Sequence, residues 1–344
     1  MGNGRHIILN ENTHRNLDKN INFANTTRLV LKPIQQLSVT GDFTYRFYQT
    51  QHTGRTSELW YREYPDAPLA SYNTGAGENQ LDEAVRSNYF YSTNVFANYD
   101  DTFNGRHHLS AMAGFNHEYY YRKGVSAWGR DLSSIDLDDL NLVGQNENGE
   151  TETGVGGGQA EYALLGFFGR VNYDYLGRYL LELSGRYDGS SRFAKESRWG
   201  FFPSASLGWR VSEESFFRPA KQWIDNLKLR LSFGSLGNQS VSSYYTYMRL
   251  VSMHNFSNYT FGEGSAMPKY SSLSAPISDN LTWETVQQWN GGFDMSMFGQ
   301  RLSIVTDFYV RNTKDMLTAG VALPSVYGAA VPRMNAADMR TKGY

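Results

Sequence analysis

Residues 227–234 read Leu-Lys-Leu-Arg-Leu-Ser-Phe-Gly. Wound into a helix, this run would scatter Lys228 and Arg230 around a circumference shared with three leucines. Extended, it puts Leu227, Leu229, Leu231 and Phe233 on one face and Lys228, Arg230, Ser232 and Gly234 on the other. The same period of two recurs on both sides. Ala205, Leu207, Trp209 and Val211 alternate with Ser204, Ser206, Gly208 and Arg210. Tyr179, Leu181, Leu183, Gly185 and Tyr187 alternate with Leu180, Glu182, Ser184, Arg186 and Asp188. Leu37 to Phe47 and Leu109 to Asn116 repeat the pattern.

Connections between these runs alternate in length. Short polar turns fall at Lys32 to Gln35, Asp100 to Arg106, Asp174 to Gly177 and Phe298 to Gln300. An intermediate one, Glu213 to Asp225, contains Pro219 and is expected to hold a helical turn. Long segments rich in Gly, Ser, Asn and Tyr lie at about 50–88, 123–162 and 236–283, and GVGGG at 154–158 reads as flexible loop. The expected strands are 22–32, 36–49, 88–100, 107–122, 163–174, 178–192, 199–213, 225–236, 284–298 and 301–315. Several exceed the roughly 9–11 residues that cross a bilayer with tilt, whereas globular strands average about 5–6. The fold class expected is all-β: a partial antiparallel transmembrane β-barrel meander, about ten strands of a larger barrel, with long extracellular loops and short periplasmic turns. Aromatics beside turns (Tyr89, Tyr91, Tyr99; Tyr119, Tyr120, Tyr121; Tyr173, Tyr175, Tyr179) suit the interfacial girdle of such a barrel.

Composition agrees. There are 24 Tyr, 20 Phe and 33 Gly, a β signature. With 32 basic and 34 acidic side chains, no basic excess points to nucleic acid. The absence of cysteine removes disulfides, thiolate catalysis and zinc–thiolate sites. No apolar run reaches the roughly 18 residues of a helical span. That does not exclude a barrel, whose strands meet lipid only at alternate residues. Met1 to His6 are followed by no apolar stretch of signal-peptide length.

From Asn172 to Phe217 the chain reads NYDYLGRYLLELSGRYDGSSRFAKESRWGFFPSASLGWRVSEESFF. This segment resembles the hallmark barrel region of SusC/RagA-type TonB-linked outer-membrane proteins of Bacteroidetes. Its elements are the Tyr173–Tyr179 turn, Arg186 to Phe193, Trp199 to Ser204, and Leu207 to Arg210 followed by Ser212 to Glu214. Leu227 to Arg230 with Gly234 and Gly237 to Gln239, Trp283-Glu284, Trp289-Asn290, Phe298 to Tyr309 and Thr313 to Asp315 continue in family order. Asn335 to Gly343 resembles the start of a further strand. The likeness is dense from about 160 to 344. It implies residues 1–344 as part of a TonB-dependent receptor β-barrel domain in the cell outer membrane, surrounded by lipid. It also implies import of oligosaccharides or peptides with TonB and a SusD-like lipoprotein, and no cofactor. Such barrels carry roughly 22 strands around a plug. No plug domain, TonB box or terminal strand is found, so an internal fragment with free edges near 22–32 and 301–315 is expected.

Within that reading Lys228, Arg230, Glu182 and Arg186 are expected to face the lumen, and Leu229, Leu231, Ala205, Leu207, Leu181 and Leu183 the lipid. Trp60, Tyr61, Tyr64, Trp128, Tyr244, Tyr245 and Tyr247 are candidate glycan contacts, because sugar C–H faces stack on aromatic planes; they also suit packing of loop against loop. No catalytic or metal set emerges. The histidines His6, His14, His52, His107, His108, His117 and His254 show no HExxH spacing, and His107-His108 point to opposite faces. Asp131, Asp136, Asp138 and Asp139 lack the order of a calcium loop. There is no GxSxG elbow and no GxGxxG fingerprint. Two other classes stay open: an outer-membrane barrel enzyme, and a non-transporting β-rich surface module that binds glycans.

Overall fold

The computed structural model describes residues 14–344 except 58, 63, 69, 73–78, 135, 147–148, 242, 256–268, 275, 279–280, 321, 323, 325 and 327–330. The strands are β1 (His14–Ile34), β2 (Leu37–Thr56), β3 (Leu59–Tyr61), β4 (Ala70–Tyr72), β5 (Gln80–Phe103), β6 (His107–Gly129), β7 (Thr153–Tyr175), β8 (Tyr179–Ser190), β9 (Trp199–Arg210), β10 (Ile224–Asn238), β11 (Val251–Asn255), β12 (Lys269–Leu273), β13 (Glu284–Met297), β14 (Leu302–Ala319) and β15 (Arg333–Gly343). One 11-stranded sheet has the order β1-β2-β5-β6-β7-β8-β9-β10-β13-β14-β15, and β3-β4 and β11-β12 are separate two-stranded hairpins. Neighbours in sequence are neighbours in the sheet, so the meander stands. The only helical elements described are short 3₁₀ turns, including Val211–Glu213 and Ser215–Gln222 in the intermediate connection.

Four expectations change. Among the described residues the sheet holds eleven strands, the ten expected plus the further strand read at 335–343, which is β15 and pairs with β14 from Tyr309↔Gly343 to Ala319↔Arg333. Its last edge is therefore β15 rather than 301–315. The strands are also longer: β1, β2, β5, β6 and β7 run 20 to 24 residues. The supposed flexible GVGGG lies on β7. Glycine leaves no side-chain period to read, so the pattern vanished where the strand did not. Finally, Pro33 sits inside β1 rather than in the turn. An edge strand tolerates it because proline's missing N–H can face away from the neighbour.

The tight connections lie at one end of the strands. Asn104-Gly105 and Leu176-Gly177 both have positive φ at their two central positions, the left-handed pair that matches hairpin twist. Asp174 Oδ1 accepts the Gly177 N–H at 2.9 Å and secures the second turn.

The chain forms two compact units: one of Thr44–Tyr91 and Tyr119–Glu161 with the residues up to Thr26, the other of Thr27–Phe43, Ser92–Glu118 and Tyr162–Tyr344. In the second, the core is small. Phe193, Phe202 and Trp283 form a buried cluster with Val241 packed against it. Most leucines lie elsewhere, exposed: Leu183, Leu207, Leu229 and Leu231 are 42–54% accessible. Leu181 and Ala205, on the same faces, are half-buried.

Candidate functional site: the polar face of the sheet

Register sorts the polar side chains of the second unit. Glu182 pairs with Ser206, Ser206 with Ser232, Ser232 with Asn290, and Arg230 with Gly208 and Gly292. Alternation therefore collects Glu182, Ser184, Ser204, Ser206, Ser232 and Asn290 on one face, with the leucines on the other. Ser184 and Ser204 hydroxyls lie 2.7 Å apart, and Asn290 Nδ2 donates to Ser232 Oγ at 3.4 Å. Arg311 Nε donates to Gln288 Oε1 at 2.8 Å, and Gln288 to Asn290 at 2.8 Å. The wall is a run of small hydroxyls and carboxamides.

Two ionic groups interrupt it. Arg230 of β10 contacts Asp294 of β13 at 2.8 Å and Asp307 of β14 at 3.0 Å. Arg186 of β8 pairs with Asp188 at 2.9 Å and reaches Asn116 of β6 at 3.4 Å, with its guanidinium over Phe168 of β7. Each group crosses an intervening strand where glycine stands. Added Cβ atoms would lie 2.6 Å from Asp307 Oδ1 at Gly292 and 2.1 Å from Asp188 Oδ1 at Gly166. Of the four charges singled out in the sequence, Arg230 and Arg186 thus anchor separate groups. Lys228 and Glu182 line the groove between, with His108, Asn172 and Asp174.

Aromatics band the strands on the leucine side. In the second unit Tyr187 stacks on Trp199 at 4.8 Å, with Phe167 6.5 Å from the same indole, and Phe233 meets Trp289 at 4.7 Å. Near the tight turns, Tyr175 lies 6.4 Å from Tyr179 and Trp209 6.4 Å from Phe216. On β8 these levels, Tyr179 and Tyr187, are eight residues apart. At about 3.4 Å per residue and a tilt of about 40°, that is roughly 21 Å along a barrel axis, close to the roughly 25 Å apolar band of outer-membrane barrels. In the first unit the tyrosines form two rows, Phe23–Tyr45–Tyr91–Tyr119 and Phe47–Tyr89–Tyr121, with centroids 5.2–6.3 Å apart.

The aromatic contact candidates do not converge. Trp60 and Tyr61 lie on β3, their side chains outside the described residues, and Tyr64 is exposed in the turn that follows. Trp128 lies near the end of β6, beneath the Arg130 guanidinium. Tyr244, Tyr245 and Tyr247 follow β10 and are half-buried. Tyr244 packs 5.4 Å from Tyr162, and Arg192 lies over both rings. That is loop packing. His6 falls outside the described residues. His107 bonds Tyr173 while His108 pairs with Asp174, so the two side chains diverge. Asp138 is held by Arg15 at 2.8 Å, and Asp139 caps the 3₁₀ turn at Asn141 N.

The segment 191–198 is held by packing and backbone hydrogen bonds. Phe193 is fully buried against Trp283, whose Nε1 donates to Arg198 O at 3.0 Å. Thr282 Oγ1 donates to Ser197 O, and Thr246 Oγ1 to Arg192 O. The residues 191–198 are pinned through their backbone by side chains far along the sequence. No local pattern signals this.

Comparison with known proteins agrees with this architecture. A family model described as TonB dependent receptor-like, beta-barrel, matches residues 3–344. The chain is 32% identical over 241 residues to the TonB-dependent receptor SusC of Bacteroides thetaiotaomicron, covering 69% of this chain and 22% of that protein. It is 31% identical over 283 residues to the TonB-dependent receptor P39 of Formosa agariphila, covering 80% and 25%. The structure of the RagAB peptide transporter superposes with a TM-score of 0.79 at 25% identity, over 96% of this chain and 34% of that one. The chain thus spans about a quarter of the length of these curated relatives. With eleven meandering antiparallel strands, an exposed leucine face opposite a polar one, and these matches, the chain belongs to the TonB-dependent receptor β-barrel family, in its SusC/RagA-type branch.

Proposed function

We propose that this chain forms part of the wall of an outer-membrane importer that takes up oligosaccharides or peptides, energised by TonB and served by a SusD-like lipoprotein. The observation that carries this reading is the inverted distribution of side chains. Leu183, Leu207, Leu229 and Leu231 are exposed, while the opposite face bears Glu182, Lys228, Arg230 and a hydroxyl-rich surface. A soluble sheet buries its leucines; a barrel in lipid shows them outward and lines a wet lumen with polar groups. On this reading Lys228, Arg230, Glu182 and Arg186 face the lumen. Peptide as a substrate class and TonB as a partner are supported by two relatives, the RagAB peptide transporter and the TonB-dependent receptor SusC; the oligosaccharide class and the SusD-like lipoprotein rest on the sequence resemblance.

The test is uptake. Cells deleted for the gene are compared with parent and complemented cells for growth on single glycans or peptides, alongside membrane fractionation. The expected result is outer-membrane localisation and loss of growth on one nutrient class, restored by the gene but not in a strain lacking TonB. Recovery of the protein in a soluble fraction, or growth unchanged on every nutrient, overturns the reading.

A further inference from the structure

The connection between β9 and β10 carries Ser-Phe-Phe-Arg-Pro-Ala-Lys-Gln at 215–222, wound as a 3₁₀ helix. Phe217 N donates to Glu214 O at 3.1 Å and Trp223 N to Ala220 O at 3.0 Å, so the bonds span three residues. In such a helix every third side chain eclipses, which divides the segment into rows. Phe217 and Ala220 make the half-buried row. Phe216, Pro219 and Gln222 make an exposed one, and Ser215, Arg218 and Lys221 another. Phe216 meets Trp209 edge-on at 6.4 Å, and Trp209 registers with Tyr179 and Leu229 on the leucine face. Trp209 Nε1 and Tyr179 OH both donate to Glu214 Oε1, at 3.2 and 2.6 Å, which ties the start of the helix to that face. At its other end the next tight turn is docked: Phe298 N donates to Trp223 O at 3.1 Å and Gln300 N to Asp225 Oδ2 at 2.9 Å. Phe216, Trp223 and Phe298 are all exposed, leaving bare aromatic rings at this end of the sheet.

The charges beside those rings are unbalanced. Glu213 stands between Arg210 at 3.8 Å and Lys221 at 3.5 Å, one carboxylate for two cations. Glu214 is matched by Arg178 at 3.6 Å. Asp225 accepts the Gln300 N–H. Arg218, and Arg301 of the neighbouring turn, are exposed and have no carboxylate partner among the described residues. The patch therefore carries a positive excess. The Lys221 ammonium has several donors, so Glu213 does not exhaust it. An aromatic row continuous with the exposed leucines, with a basic row next to it, suits a segment lying in a bilayer interface: rings among acyl chains, cations at phosphates. An acidic soluble protein would answer the cations but not the rings that extend the leucine face. A zwitterionic headgroup brings an ammonium of its own to a patch already in cationic excess, whereas a headgroup of net negative charge does not. We propose that residues 215–223 form a site for an anionic phospholipid of the leaflet at the tight-turn end, with Arg218 and Lys221 on its phosphate and Phe216 along its acyl chain. This rests on the membrane placement in the import reading and adds to it a lipid that the barrel selects.

The test uses the outer-membrane protein as expressed from its gene, purified in detergent. It is titrated with phosphatidylglycerol and phosphatidylethanolamine of identical acyl chains, and the bound lipids are counted by native mass spectrometry. The tightest adduct is expected to be phosphatidylglycerol. Arg218→Gln and Lys221→Gln should each weaken it about fivefold and leave phosphatidylethanolamine unchanged. Phe216→Ser should weaken both lipids, since it removes the acyl-chain contact and no charge. Lys195→Gln, which removes an exposed cation outside this patch, should change neither. Heat-modifiable migration on gels confirms that each variant is folded. Equal affinity for the two lipids, or a phosphatidylglycerol preference untouched by both glutamine variants, overturns the site. Displacement of phosphatidylglycerol by inorganic phosphate would assign the cations to a free anion and overturn the lipid. Recovery of the protein in a soluble fraction overturns the import reading instead, whereas an outer-membrane protein that binds lipids without headgroup preference overturns the site alone.

Discussion

Arg230 and Asp307 meet at 3.0 Å although a whole strand lies between them. Arg230 is on β10 and Asp307 on β14, and both register with Gly292 of β13. Strands two apart are separated by about 9.5 Å, so the contact exists only because nothing rises from Gly292. Arg230 also contacts Asp294 at 2.8 Å, giving one cation between two carboxylates on the polar face.

That dependence separates two adjacent glycines. At Gly292 a Cβ would stand 2.4 Å from Thr306 O, a backbone atom that cannot swing away, whereas at Gly291 nothing lies within 4 Å. Gly292→Ala should destabilise the folded barrel by about 1–3 kcal/mol, the usual cost of overpacking. Gly291→Ala should be neutral or slightly stabilising. Urea unfolding in lipid vesicles, read by gel mobility, compares them; equal effects would refute the crossing role.

Lipid exposure of the leucine face predicts a directional charge penalty. Leu231→Arg should cost about 2–4 kcal/mol if that residue sits at mid-bilayer, and Ser232→Arg, one residue on and on the opposite face, much less. The same unfolding measurement decides. A larger penalty at Ser232 would mean that the faces are reversed and the sheet belongs to a soluble fold.

The Phe193–Trp283 contact should be the strongest single determinant of loop order in the second unit. Phe193→Ala or Trp283→Ala removes a buried ring at a cost of about 3–5 kcal/mol, confined to the connections it joins. Limited proteolysis should then cut within residues 191–198 or 274–283 while the strands stay protected. Unchanged cleavage kinetics would show that the cluster is dispensable.

At the tight turn after β7, Leu176 has φ +56°, a left-handed conformation costly for a branched side chain. Asn104 occupies the matching place in the β5–β6 turn, with φ +54°. Leu176→Asn should stabilise by about 1 kcal/mol, seen as a higher urea midpoint; a lower one would show that the leucine has a packing role.

Below pH 5, Glu214 becomes informative. Hydrogen bonds from Tyr179 and then Trp209, together with the charge of Arg178, hold its carboxyl below its ordinary 4.5. A depressed folded pKa means that the stability it brings is fully present above the unfolded value and is lost as pH falls through the folded one. Glu214→Gln should therefore lower stability at pH 7 and flatten the acid limb of the stability curve. An acid limb identical in both proteins would show that Glu214 plays no part.

How much of this was legible beforehand depends on whether the signal was local. The alternation at Leu227–Gly234 is carried by adjacent side chains, so it foretold the strand and which of its residues share a face of the sheet. The NG and LG turns were readable for the same reason. The outer reach of β6 and β7 was not, because Gly124 and the glycines at 154–158 interrupt the period where the ladder continues. Trp128 could be picked out as an aromatic of the long segment 123–162, but not its place on β6, nor its grouping with His52 and Asp82, which only the pairing of three strands produces. Phe193 and Trp283 lie 90 positions apart, and nothing in either neighbourhood announces the other.

The way residues 191–198 are fastened has a consequence for what may be displayed there. Trp283, Thr282 and Thr246 grip the carbonyls of Arg198, Ser197 and Arg192, and carbonyls are common to every amino acid. Lys195 and Glu196 meanwhile point outward, exposed. The conformation is thus indifferent to what those two positions carry. They form a mutable coat on an invariant frame, where an epitope tag or a drifting antigenic patch can be exchanged without disturbing the barrel beneath.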